Sequence, residues 1–301
     1  MGGANMDASI WVPSSPCGPH CVHTYVEPVS RLRATMRVTA LGTVGLGLLA
    51  VGILTVLLPR VARHGYWRGS AKIALRTMGV ELDIDDHRPD GARRVRGALM
   101  VANHVSFLDI IALCCVAPAR FVAKREVLQM GVFGPITRAF GVLPHRRGDL
   151  RRLRPMIDQV SGILDRGRPV AVFPEGTTWC GTASGRFKPA FFQAAIDAGV
   201  PVLPVRLSYT DHGHRTTMPG FLGEDTIGST LSRIVRSRDL TITVTVFEPQ
   251  LPAGDRGHLA AVAQELIAPA EPVAALQELA VDLSVPAPAV QPRPAVEQAV
   301  A

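Results

Sequence analysis

The stretch Asn103-His104-Val105-Ser106-Phe107-Leu108-Asp109 carries a histidine and a carboxylate five residues apart. It follows an apolar run over 98–102 that reads as a strand, and it opens into an apolar run over 107–116 that reads as a helix. His104 then sits on a loop at the carboxyl end of a strand, where α/β folds place their sites. Asp109 falls in the first helical turn, within reach of the imidazole. A carboxylate holding one ring nitrogen fixes the tautomer and leaves the other nitrogen free to take a proton. The pair could therefore make a general base. Taken alone, the same spacing also suits a capping aspartate beside a surface histidine.

Two more stretches offer groups to bind a substrate. Val172-Phe173-Pro174-Glu175-Gly176-Thr177-Thr178 ends another apolar run with a carboxylate next to glycine. Gly176 permits close approach of backbone to a ligand, and Glu175 could meet substrate hydroxyls. A simple turn would read the same way. Gly141-Val142-Leu143-Pro144-His145-Arg146-Arg147-Gly148 places paired arginines after a strand-like run. Guanidinium groups match phosphate geometry, although a solvated basic face has the same composition.

In this order the segments resemble the glycerolipid acyltransferase family, which includes bacterial 1-acylglycerol-3-phosphate acyltransferases. The resemblance runs over roughly 67–209, about half of the chain. It rests on the heptad from Asn103 to Asp109, the arginine segment ending at Arg147, and the Phe-Pro-Glu-Gly-Thr block from Phe173 to Thr177. A Val- and Pro-rich run over 200–205 and the step Phe187-Lys188 complete it. It implies direct transfer of an acyl group from acyl-CoA or an acyl-carrier protein to the free hydroxyl of lysophosphatidic acid. The product would be phosphatidic acid, for phospholipid biosynthesis. His104 and Asp109 are then the catalytic pair. Arg147, with Arg146 as a second, is the phosphate site, and Glu175, Gly176, Thr177 and Lys188 are the remaining acceptor contacts. The thioester is a co-substrate, and neither cofactor nor metal is expected. No Gly-x-Ser-x-Gly elbow is present to seat a nucleophilic serine, in keeping with direct transfer. Two departures touch acceptor contacts: Thr178 stands where Arg or Ser is common, and His145 where an apolar residue is usual.

These groups need a scaffold. Strand-like runs at 80–84, 98–102, 120–123, 170–173, 202–207 and 240–247 alternate with helix-like runs at 107–116, 127–140 and 156–164. That alternation argues for an α/β fold: one acyltransferase domain over 59–268, with a central mixed sheet flanked by helices. Pro189 suits the first turn of a further helix and Gly199 its end. Residues 1–37 read as a disordered basic leader, and 269–301 as a disordered Ala/Pro-rich tail.

Between 38 and 58 no residue is charged, and a helix of that length spans about 31 Å, close to the bilayer core, so the run reads as a transmembrane or membrane-embedded helix. Arg31, Arg33 and Arg37 precede it, while Arg60, Arg63, Arg68, Lys72 and Arg76 follow. The excess after the span favours a cytoplasmic catalytic domain at the cell membrane. Residues 67–78, apolar at helical spacing with basic residues between, suit the membrane surface.

The whole chain of 301 residues carries a formal charge of +7, so polyanions are its natural partners. Basic residues beside an apolar run favour anionic membrane lipid over nucleic acid, and the arginines lack interleaved aromatics for base stacking. Five cysteines provide no disulfide framework. Cys17, His20, Cys21 and His23 have ligand chemistry, but they fall in the expected leader, with little chain to close a metal site. The competing functions are acylation of another lysolipid such as lyso-ornithine lipid, thioester hydrolysis, and a non-catalytic membrane adaptor.

Overall fold

The computed structural model describes residues 13–22, 28–90, 97–129, 134, 137, 141–146 and 148–268. Helix α1 (Arg31–Leu54) leads through a 3-10 turn (Thr55–Leu57) to α2 (Arg60–Met78). The α/β core follows: β1 (Val80–Asp86), β2 (Leu99–Ala102), α3 (Leu108–Val116), β3 (Arg120–Lys124) and β4 (Leu143–His145). Then come α4 (Leu153–Asp165), β5 (Val170–Val172), α5 (Phe192–Ala198), β6 (Val202–Asp211), the short β7 (His214–Arg215), α6 (Ile227–Arg236), β8 (Leu240–Val246) and α7 (Arg256–Ile267).

The strands form one mixed sheet in the order β1-β8-β6-β2-β5-β3-β4, with β7 paired to β6. Strands β6, β2, β5, β3 and β4 run parallel, whereas β8 is antiparallel to β6 and parallel to β1. Residue type explains the positions. In β2 all of Leu-Met-Val-Ala is buried, as a strand covered on both faces requires. In β8 the alternation Leu-Thr-Ile-Thr-Val-Thr-Val sends Leu240, Ile242, Val244 and Val246 fully into the core. Strand β1 is at the edge, with Glu81, Asp83 and Asp85 exposed.

Helices cover both faces. Leu75 and Met78 of α2, Leu108 and Leu113 of α3, and Ile234 and Val235 of α6 belong to one core cluster. The other face buries Ile157, Val160, Ile163 and Leu164 of α4, Phe192 of α5, and Leu259 and Ala263 of α7. The α4 residues recur at three- and four-residue steps, the spacing of one helix face. Pro189 opens a 3-10 turn (Pro189–Phe191) into α5, and Gly199, at φ 61°, caps it.

The six expected strands are present, with β6 longer than the run at 202–207. Helices α6 and α7 were missed as elements. Of the helix expected at 127–140, the described residues include a 3-10 turn (Arg125–Gln129) and positions 134 and 137; the rest lie outside the described residues. The tail expected at 269–301 also lies outside them.

The leader boundary expected at 37 needs correction. Residues 31–37 are the first turns of α1, capped by the Ser30 side chain, which accepts from the Arg33 N–H. Arg37 donates to the carbonyls of Val235 (2.9 Å) and Ser237 (2.6 Å), satisfying orphan acceptors at the end of α6. Residues 13–22 also carry described contacts with the domain: Thr217 Oγ1 donates to the Cys21 carbonyl at 2.6 Å, and Cys17 is buried.

Helices α1 and α2 form a hairpin. A Cβ on Gly52 would meet the Trp67 ring at 2.5 Å, and Tyr66 donates to the Leu48 carbonyl. Gly79, left-handed at φ 77°, ends α2 directly beside the Arg37 guanidinium, so the two long helices start and finish at the same place. Outward from there α1 is apolar and bare on the side away from α2, with Leu46 and Ile53 more than 70% exposed. By length and composition it could cross a membrane.

Candidate active site

The carboxyl ends of β5, β2 and β6 lie side by side in the middle of the sheet, and the loops that leave them build the site. The loop after β2 wraps around Asp109, which is in the first turn of α3 and wholly buried. Its Oδ2 accepts from His104 Nδ1 at 2.8 Å and from the backbone N–H groups of Val105 (2.7 Å) and Ser106 (2.8 Å). Its Oδ1 accepts from the Tyr209 hydroxyl. Four donors match the acceptor sites of an ionised carboxylate, and a negative charge suits a helix N-terminus.

With the proton of Nδ1 directed at Asp109, Nε2 of a neutral His104 is an acceptor. The imidazole is 17% exposed and stacks on Phe173, ring centres 3.9 Å apart. It lines a cleft with Asn103, Glu175, Trp179 and Phe187. Asn103 locks the loop to β6: its amide donates to the Leu207 carbonyl (2.9 Å), and its oxygen accepts from the Leu207 N–H (2.8 Å).

Glu175 is also buried, and its two oxygens accept from the backbone N–H groups of His104 (2.7 Å) and Gly185 (2.9 Å). It therefore holds the catalytic loop from behind, a role its sequence context did not suggest. Burial pushes its carboxyl up to about 8 against the pull of those two donors, and nearby Asp109 adds to the rise. Asp109 and burial likewise raise the Tyr209 phenol well above its ordinary value, with burial the larger cause.

The other expected residues are placed less closely. Gly176 has φ 77°, and a Cβ there would fall 2.7 Å from Pro13 Cγ and 3.8 Å from Lys188 Nζ. The exposed Lys188 thus reaches the Glu-Gly-Thr turn, where its N–H also donates to the Pro174 carbonyl at 3.0 Å. Thr177 is half-buried on that turn. Thr178, the departure from the family pattern, donates to the Phe221 carbonyl and so serves the loop after β7. Arg146 is exposed at the carboxyl end of β4, three strands from β2 or about 14 Å at usual spacing. It stands at the same end of the sheet but is not against His104. Arg147 lies outside the described residues.

Tyr209 was missed in the sequence. The available signal was weak: a phenol at an inward position of an apolar strand needs a hydrogen-bond partner. The loop at 217–225 was missed as well. It backs the site through the Phe221 N–H, which donates to the Val105 carbonyl at 2.9 Å.

A buried carboxylate, an imidazole open to a cleft and a ring covering one imidazole face are an arrangement that can act as a general base. The acyltransferase family model matches residues 83–208. A 1-acyl-sn-glycerol-3-phosphate acyltransferase from Neisseria gonorrhoeae is 38% identical over 58% of this chain and 67% of its own length. A lyso-ornithine lipid O-acyltransferase from Pseudomonas aeruginosa is 36% identical over 56% and 66%. The chain thus spans about two thirds of the length of these relatives. In fold it is similar to the crystal structure of the 1-acyl-sn-glycerophosphate acyltransferase PlsC from Thermotoga maritima, with TM-score 0.56 and 22% identity, covering 78% of this chain and 92% of that one. The chain belongs to the acyltransferase family and is an acyltransferase.

Proposed function

We propose that the protein acylates the free hydroxyl of lysophosphatidic acid, using acyl-CoA or acyl-carrier protein as donor, to give phosphatidic acid for phospholipid synthesis. The observation that carries this reading is the contact of His104 Nδ1 with the buried carboxylate of Asp109. His104 Nε2 removes the acceptor proton as the alcohol oxygen attacks the thioester carbonyl. Collapse of the tetrahedral adduct breaks the carbon–sulfur bond, and the departing thiolate takes the proton from the imidazolium. Ester and free thiol are the products, so no outside acid or oxidant is needed. Arg147 and Arg146 would hold the acceptor phosphate, and Lys188 at the Glu-Gly-Thr turn would add a third cation. Gly176 and Thr177 border its glycerol portion.

Lipid substrates require access from a bilayer, and the α1–α2 hairpin supplies the contact. Its free ends both meet the catalytic domain, which favours a helix pair dipping into one leaflet over an anchor separated from the domain by the membrane. The catalytic domain would face the cytoplasm, with the basic residues of α2 against anionic headgroups at about 1 kcal/mol each.

A second acceptor, lyso-ornithine lipid, is favoured by the similarity to the Pseudomonas enzyme. Incubating membranes that contain the protein with labelled acyl-CoA and a panel of lysolipids separates the two by product. His104→Ala should lower turnover by about 10²–10⁴-fold without unfolding the protein. Undiminished turnover in that variant would refute the general-base role. Thioester loss without any lysolipid would instead indicate hydrolysis.

A further inference from the structure

Cys17, Cys21 and Cys180 come together although the last is far along the chain. Their three sulfur atoms all lie within 4.8 Å of one another, with Cys17 and Cys180 buried and Cys21 partly open. Sulfur atoms at two corners of a tetrahedral zinc site are about 3.8 Å apart, given Zn–S bonds of about 2.3 Å. A small contraction would therefore bring these three onto one ion. A polar group of the neighbouring turn is directed at Cys180 Sγ. The Thr182 hydroxyl is 3.1 Å from the same sulfur. Polar groups directed at a ligand atom are the supports that orient metal-binding side chains.

We propose that Cys17, Cys21 and Cys180 bind one soft thiophilic cation, zinc foremost, with solvent at the fourth position. Each thiol that becomes a ligand releases its proton to solvent, so loading is favoured by rising pH. Three converging sulfurs favour a metal over a disulfide, which would join two and leave one over. The ion would clamp residues 13–22 onto the loop that backs the catalytic histidine, because the neighbouring Trp179 N–H donates to the His104 carbonyl at 2.8 Å. Pro13, packed over Gly176, is on the same segment. The sequence alone offered only Cys17, His20, Cys21 and His23; His23 lies outside the described residues, and Cys180 replaces it as the distant partner.

The test uses the full chain, purified under reductant without chelator. Cobalt titration should saturate at about one equivalent with a thiolate-to-metal charge-transfer band, and zinc should displace it. Zinc should also slow alkylation of the part-exposed Cys21 in the intact chain. Cys180→Ser and Cys21→Ser should each abolish the band, whereas Cys114→Ala should keep it. Since Cys180 is buried and its variant could unfold, the Cys21→Ser variant and cobalt binding by the unaltered chain decide the matter. Failure to bind cobalt or zinc at micromolar concentration overturns the proposal. So does a signal that survives Cys21→Ser, or an intact mass short of two hydrogens that reductant restores without metal uptake.

Discussion

Asp109 is the residue on which the geometry of the site converges, because one carboxylate sets the imidazole tautomer, the loop from Val105 to Ser106 and the Tyr209 phenol together. Tyr209→Phe removes one of four donors and leaves the others in place. It should cost about 1 kcal/mol in denaturant titration, and lower kcat less than His104→Ala does, with KM for both substrates unchanged. A rise in KM instead would mean that the phenol acts on substrate binding. Glu175 makes a different prediction. Its folded carboxyl titrates near 8 against an ordinary value of 4.5, so the folded chain holds the proton more tightly than the unfolded one. That contribution to stability is complete below about pH 4.5 and is lost as pH rises through about 8. Glu175→Gln loses an acceptor for one of the two backbone N–H groups, so its Tm should be lower throughout, but its Tm should fall less across that window than that of the parent. Parallel Tm profiles would show that Glu175 does not titrate there. The contact between His104 and Asp109 was legible from seven consecutive residues, since histidine and carboxylate share one loop and helix start. Tyr209 and the supporting role of Glu175 were not, because both depend on which strands become neighbours.

At the scale of elements, the alternation of β8 and the three- and four-residue steps of α4 were read directly from residue order, because each face of these elements meets a different environment. Helix α6 escaped notice although Ile227, Leu231, Ile234 and Val235 follow a helical stripe; serines, threonine and arginines fill the spaces between them. Its value to the site lies in Arg233. This side chain pairs with both oxygens of Asp225 (2.8 and 2.6 Å) and donates to the carbonyls of Gly220 (2.7 Å) and Met218 (3.2 Å). The guanidinium holds the Asp225 carboxyl down at about 2. Since the folded value lies below the ordinary 3.8, this pair stabilises the fold above that pH and the benefit is lost as pH falls through about 2. Arg233→Met leaves two carbonyls without their donor and the Asp225 carboxylate with only the Leu222 N–H and the Ser229 hydroxyl as donors. A loss of about 2–4 kcal/mol is expected in urea titration, with faster proteolysis within 217–225. A change within about 0.5 kcal/mol would mean that the loop is held by its other contacts, Phe221 and Thr178 among them.

Across the whole molecule, the decisive relation is that α1 starts where α2 ends. A charge-free run with arginines on both sides reads as a span, and the bias of basic residues sets an orientation. Such a count cannot detect that Arg37, within the helix itself, donates to the last carbonyls of α6, or that Gly79 returns to it. A chain whose α1 crossed the bilayer would need α2 to cross back to reach β1, and Arg60, Arg63, Arg68, Lys72 and Arg76 make that expensive at about 2.5–3.5 kcal/mol for each charge at the bilayer centre. A hairpin immersed to part of its depth avoids the cost, keeping Leu46, Ile53 and Leu54 in acyl chains while the basic residues of α2 lie among headgroups. The prediction is one-sided access. Single cysteines placed at Ser30 and at Glu81, in a chain with its own cysteines replaced by alanine, should react with an impermeant maleimide from the same face of sealed vesicles. Labelling from opposite faces would establish a crossing helix. The closeness of the two helices provides an independent check. Gly52→Leu would drive a side chain into the Trp67 ring and should part the hairpin. The purified full-length variant would then stay folded by circular dichroism while its partition onto anionic vesicles and its turnover of vesicle-embedded lysolipid fall together. Unaltered partition would mean that α1 meets the membrane without α2 beside it.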